Sequence, residues 1–84
     1  MISANQLRAA RAMLGIDQRT LAAMAGVSLP TIQRMEASRD DHVRGVVSTL
    51  ARIVAALDSA GVELIGNEQP SQGRGRGVRL KEPQ

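Results

Sequence analysis

Two helical patterns meet in a joint of about three residues centred on Gly26, and that joint constrains this chain more than anything else in it. The first pattern opens at Asp17, a good N-cap, and carries Leu21, Met24 and Ala25 on one side. Gly26 ends it, at a place where φ > 0 is usually needed. Ser28 can cap the next helix at once. Pro30 then falls in its first turn, where the missing N–H would have had no partner anyway. Ile32 and Met35 give that helix its buried stripe. Small Ala22 lets the two helices cross closely, and Leu21, Ala25, Val27, Ile32 and Met35 fill the angle between them.

The flanking sequence continues the helical reading. Ser3, with Gln6 three positions later, is a capping-box pattern for a first helix. Leu7, Ala10 and Leu14 mark its inner face, and Gly15 stops it. Residues 39–44 form a polar loop. A longer fourth helix follows, with Val46, Val47, Leu50, Ile53, Val54 and Leu57 expected to cover a broad face, and Gly61 ends it. Beyond Gly61 the period changes from helical to alternating. Val62-Glu63-Leu64-Ile65 and Gly77-Val78-Arg79-Leu80-Lys81 read as two strands of an antiparallel hairpin around a tip that is loop by composition. The expected architecture is mainly α, a helical bundle with a helix-turn-helix, plus a C-terminal β-hairpin. Residues 1–60 are expected to form the helical domain and residues 61–84 the hairpin, which could serve in dimerisation. A lone hairpin is marginal in water, so helices or a second subunit must cover it.

Composition removes many functions. Phe, Tyr and Trp are all absent, so nothing here can stack an unpaired base. The core must be built from Ala, Leu, Val, Ile and Met, and Met13, Met24 and Met35 are expected to fill it in place of aromatics. With no cysteine and one histidine, His42, the zinc-finger, Fe–S, thiol and two-histidine chemistries are excluded. Asp40-Asp41-His42 reads as loop and cap, since three adjacent residues rarely converge on one ion. Gly73-Arg74-Gly75-Arg76-Gly77 lacks the Lys-Ser/Thr ending of a phosphate loop, which leaves a solvated hairpin tip or a basic arm. No nucleophile–base pair, metal set or cofactor loop supports an enzyme, and no cofactor is expected. The longest apolar run, Ile53 to Leu57, is far short of a membrane span, and the N-terminal residues show no secretory pattern. A cytoplasmic location is expected.

Net charge is only +3, but ten of the eleven Lys and Arg residues are Arg, the side chain suited to bidentate phosphate and guanine recognition. On the third helix, Leu29, Pro30, Gln33, Arg34 and Ala37 occupy the arc opposite the buried stripe. Such an arc is what a groove-reading helix must offer. Arg34 can pair with guanine O6/N7, Gln33 with adenine N6/N7, and Leu29 or Pro30 can touch a thymine methyl. Ser28 can add a phosphate hydrogen bond to its capping role. Arg39 and Arg44 read either as phosphate clamps or as solvated loop charges.

The segment Gln18-x-x-Leu21-Ala22-x-x-Ala25-Gly26-Val27-Ser28-x-x-Thr31-Ile32-x-x-Met35-Glu36 resembles the Xre/Cro and lambda-repressor type of helix-turn-helix DNA-binding domain. The likeness extends over roughly Ser3 to Ala60. It implies a bundle of four or five helices whose third enters the major groove. It also implies base-reading places at Leu29, Pro30 and Arg34, a phosphate contact at Gln18, and an ion pair between Arg11 and Glu36. One long helix follows the recognition helix, where many members have two shorter ones. The tail from Gly61 to Leu80 is similar to short bacterial regulators of this type. The function so implied is a sequence-specific, double-stranded-DNA-binding transcriptional regulator, a repressor acting as a homodimer. The alternative is an antitoxin that neutralises a toxin or effector protein and also binds its own promoter.

Overall fold

A computed structural model describes residues 2–38, 47–66 and 77–81. Among the described residues four helices precede one hairpin: α1 Ala4–Leu14, α2 Gln18–Ala25, α3 Leu29–Glu36, α4 Val47–Ser59, β1 Val62–Ile65 and β2 Gly77–Leu80. The mainly helical bundle with a small C-terminal antiparallel hairpin is the architecture expected from the sequence.

Each of the first three helices starts where a side chain can satisfy its free amides. Ser3 and Gln6 complete a reciprocal capping box on α1, with bonds of 2.9 and 3.1 Å. The Asp17 carboxylate accepts from the Thr20 amide at 2.7 Å, and the Ser28 hydroxyl accepts from the Thr31 amide at 3.3 Å. Gly15 and Gly26 end α1 and α2 in the left-handed region, at φ 67° and 69°. A Cβ at Gly26 would meet nothing within 4 Å, so backbone conformation and not crowding calls for glycine there. The Val27 amide then donates to the Ala22 carbonyl at 3.0 Å, which folds the chain straight into α3.

The core is aliphatic. Leu7, Leu21, Ile32, Ile53, Leu57 and Val62 are its largest fully buried members, drawn from all four helices and β1. Met35 joins them as expected, but Met13 and Met24 do not, being 40% and 43% exposed. Short helices explain the correction. Each buries a stripe only about three residues long, and Met13 lies one residue, about 100°, away from Leu14 on the stripe. The broad apolar face expected of α4 is also narrower than its sequence suggests. Ile53 and Leu57 are buried and Leu50 and Val54 half-buried, while Val47 is exposed. Val46 lies outside the described residues.

The strands pair antiparallel, with Val62 opposite Leu80 and Ile65 opposite Gly77. Alternation puts Val62, Leu64 and Val78 against the helices, and leaves Glu63 and Arg79 as a solvent-facing ion pair at 2.7 Å. The hairpin is thus covered by the helices of its own chain. One buried side chain clamps it there. The Gln6 amide nitrogen donates to the carbonyls of Ile65 at 3.0 Å and Gly77 at 3.1 Å, joining the start of α1 to the last described rung of the ladder. Gln6→Ala is expected to remove both contacts and half of the capping box. Leaving these part-buried carbonyls without their donor costs about 1–3 kcal/mol in all. Thermal unfolding and amide exchange across Val62–Ile65 check this, with the hairpin amides losing protection first.

Candidate nucleic-acid interface

The third helix is held by one charge cluster at its end. Glu36 is 4% exposed, and three donors from two other helices surround its carboxylate. Arg11 of α1 grips it with two parallel bonds of 2.7 Å, through Nε to Oε2 and Nη2 to Oε1. Gln18 of α2 donates to Oε1 at 3.2 Å. The remaining Arg11 nitrogen, Nη1, donates to the Ile16 carbonyl at 3.2 Å, and Arg8 donates to the backbone carbonyl of Glu36. The Arg11 pKa is raised above its ordinary value, chiefly by the hydrogen bonds to Glu36. The cluster fixes α3 relative to α1 and α2 without using any residue on the outer side of α3.

That outer side is open. Pro30, Gln33, Arg34 and Ala37 are exposed, and Leu29 is half-buried at the margin. Among the described residues no hydrogen bond or ion pair ties the side chains of Gln33 or Arg34 to the protein. Ile32 and Met35, on the opposite side of the same helix, are buried. The helix therefore presents an open arc with one guanidinium and one carboxamide among apolar Leu29, Pro30 and Ala37. Ser28 is exposed at the start of this helix, with its hydroxyl 2.7 Å from that of Thr31.

Family comparison reaches the same segment. Residues 7–41 match the model of a family described as Helix-turn-helix, a span that opens in α1, holds α2 and α3, and runs past Ala37. This segment is a helix-turn-helix of the Xre and lambda-repressor type. A segment of this type supports a DNA-binding regulator of transcription. No curated protein matches the chain significantly.

Within the helix-turn-helix, the candidate residues differ in what the fold leaves them free to do. Gln33 and Arg34 stand together on the open arc, with Pro30 beside them. Gln18 is half-buried and its amide is turned inward on Glu36, an arrangement that helical periodicity cannot foresee because the partner lies on another helix. Arg39 and Arg44 lie outside the described residues, as do Asp40, Asp41, His42 and residues 73–76. Among the described residues, no group of three His, Cys, Asp or Glu side chains could hold a metal ion, and no helix is long and apolar enough to cross a membrane.

Two buried residues were legible only in part. Gln6 is visible in sequence as a capping partner, and its second task on the hairpin is not. Ile2, 2% exposed, carries no helical signal of its own. It sits one residue before the Ser3 cap, with Leu7 at the fourth helical position, and those are the two places of a hydrophobic staple.

Proposed function

We propose that the protein is a sequence-specific repressor that reads double-stranded DNA as a homodimer, with α3 in the major groove. The observation carrying this reading is the open arc of Pro30, Gln33 and Arg34 on a helix whose other side is fixed by the core and by Glu36. Arg34 would pair with guanine, Gln33 with adenine, and Leu29 or Pro30 with a thymine methyl, while Ser28, Arg39 and Arg44 would hold phosphates. Bacterial-type dimers of this kind place two such helices about one helical turn apart, so the operator would be an inverted repeat with half-sites about 34–36 Å between centres. The compartment consistent with this work is the cytoplasm.

A genomic binding-site selection tests the reading. The expected result is an inverted-repeat motif, and a reporter carrying that motif at its promoter is expected to be silenced by the protein. Selection of no motif at all would sink sequence-specific recognition, and a reporter that is activated would sink repression.

The hairpin is our candidate for the dimer contact, because Leu80 remains 52% exposed and Ile65 38% exposed after the hairpin has docked on its own helices. Deleting the hairpin would be a poor test, since Val62 belongs to the core. Leu80→Glu adds a charge at an exposed position instead. It is expected to shift sedimentation toward monomer while helical content stays unchanged; an unaltered dimer would take this surface out of the interface.

A further inference from the structure

The start of α2 holds a cation that neither the motif nor the core uses. Arg19 is exposed, and among the described residues no hydrogen bond or ion pair holds its guanidinium. Its neighbours on the same turn are all engaged. Gln18 donates to Glu36, and the Thr20 amide is taken by Asp17.

Direction can be read from the helix itself. Gln18 reaches α3, whereas Met24 lines an open groove against Arg52, Ala55, Ala56 and Ala60 of α4 and its end. At about 100° per residue, Arg19 stands about 100° round from Gln18 and about 140° from Met24. It therefore faces solvent on the α3 side of α2, away from the groove. On α3, Glu36 lies about 60° from Gln33 and about 160° from Arg34 around the axis. Since Gln18 is anchored on Glu36, the start of α2 borders the Gln33 edge of the open arc. Arg34 marks the other edge.

A helix lying in the major groove has a phosphate backbone along each side. We propose that Arg19 is the phosphate clamp on the Gln33 side of the recognition helix, the task that the motif alone would give to Gln18. The ligand is a phosphodiester of duplex DNA, so the assignment rests on the DNA-binding reading above. The amide end of α2 is not what binds, because Asp17 already accepts from Thr20 there. Hydrogen bonds from Thr20, with smaller contributions from Arg19 and Arg11, hold the Asp17 carboxyl below its ordinary pKa, so at neutral pH it is an anion. An anion at that place repels a phosphate unless a cation stands beside it. Arg19 supplies that cation, two residues along.

The test is the salt dependence of binding to a mixed-sequence DNA duplex, which reads phosphate contacts without needing the operator. Each phosphate contact contributes a slope of about 0.9 in log K against log salt. Arg19→Ala is expected to flatten the slope by about 0.9 per bound subunit. The loss of affinity between about 50 and 200 mM salt then shrinks by about 3.5-fold. Arg19→Lys should retain the wild-type slope, because a phosphate clamp needs a point charge here. Arg52→Gln removes the same charge from the groove on the other side of α2 and is expected to leave the slope unaltered. Thermal unfolding of Arg19→Ala should match wild type, since no bond inside the protein is lost. A slope unchanged by Arg19→Ala, or flattened equally by Arg52→Gln, would overturn the clamp and leave DNA binding standing. Absence of salt-dependent duplex binding in the wild type would overturn both.

Discussion

Arg11→Ala is expected to lower the melting temperature by more than about 12 °C. The reason is what it leaves behind. Glu36 is 4% exposed, and after the substitution its carboxylate keeps only the Gln18 amide at 3.2 Å. Breaking a buried ion pair by removing one partner costs about 3–5 kcal/mol, because the remaining charge is buried without compensation. Arg11 itself is 21% exposed, which favours the lower end of that range. A chain of this size has only about 4–13 kcal/mol of stability in total, so even about 3 kcal/mol is a large share. Arg11→Lys should recover little, since an ammonium cannot make two parallel bonds and also reach the Ile16 carbonyl. Arg11→Met combined with Glu36→Leu should recover most of the loss, because no charge is then stranded. Thermal unfolding at one fixed protein concentration compares the variants without confusing folding with dimerisation. A melting temperature within about 1 °C of wild type for Arg11→Ala would show that the cluster does not hold α3.

What could be read from sequence follows the range of the interaction. Caps, glycine stops and the paired helices around Gly26 depend on neighbours within four residues, and Ser3, Asp17, Ser28, Gly15 and Gly26 all act locally as expected. The strands were legible because alternation is equally local. Contacts across the fold were not. Nothing near Gln6 in sequence announces the carbonyls of Ile65 and Gly77, and nothing near Gln18 announces Glu36. The Arg11–Glu36 pair was available only through family resemblance, because periodicity places both residues near packed faces without saying that they meet. Burial of methionine failed for a related reason. Met13 and Met24 are apolar, but an apolar residue is buried only if another element lies over it, and among the described elements none covers those sides of α1 and α2. For the candidate site the division is the same: the open arc of α3 was visible from its own period, whereas the inward turn of Gln18, and with it the candidacy of Arg19, required the third dimension.

Arg34→Ala is expected to change which DNA is bound more than how tightly DNA is bound. Its guanidinium is exposed and makes no hydrogen bond or ion pair among the described residues, so removing it should leave folding stability within about 0.5 kcal/mol. A bidentate guanine contact discriminates against a wrong base by about 1–3 kcal/mol, or about 5- to 150-fold. The loss should fall on one base position in each half-site, and a binding-site selection with the variant should return the wild-type motif with that position relaxed. Gln33→Ala should relax a different position, one that prefers adenine. The two substitutions are about 100° apart on one helix, so their positions in the motif should be close but distinct. Arg19→Ala provides the contrast, since a phosphate contact carries no base information and its loss should weaken every sequence alike. Arg34 lies on the far edge of the arc from α2, where it is the one charged side chain that the described part of α3 offers to a groove. If selection with Arg34→Ala returns the wild-type motif unrelaxed, base reading must come from Gln33 and from the apolar pair Leu29 and Pro30. Specificity would then rest on thymine methyls and one carboxamide, and the arginine would be a second phosphate clamp, which the salt slope would reveal as a further flattening of about 0.9.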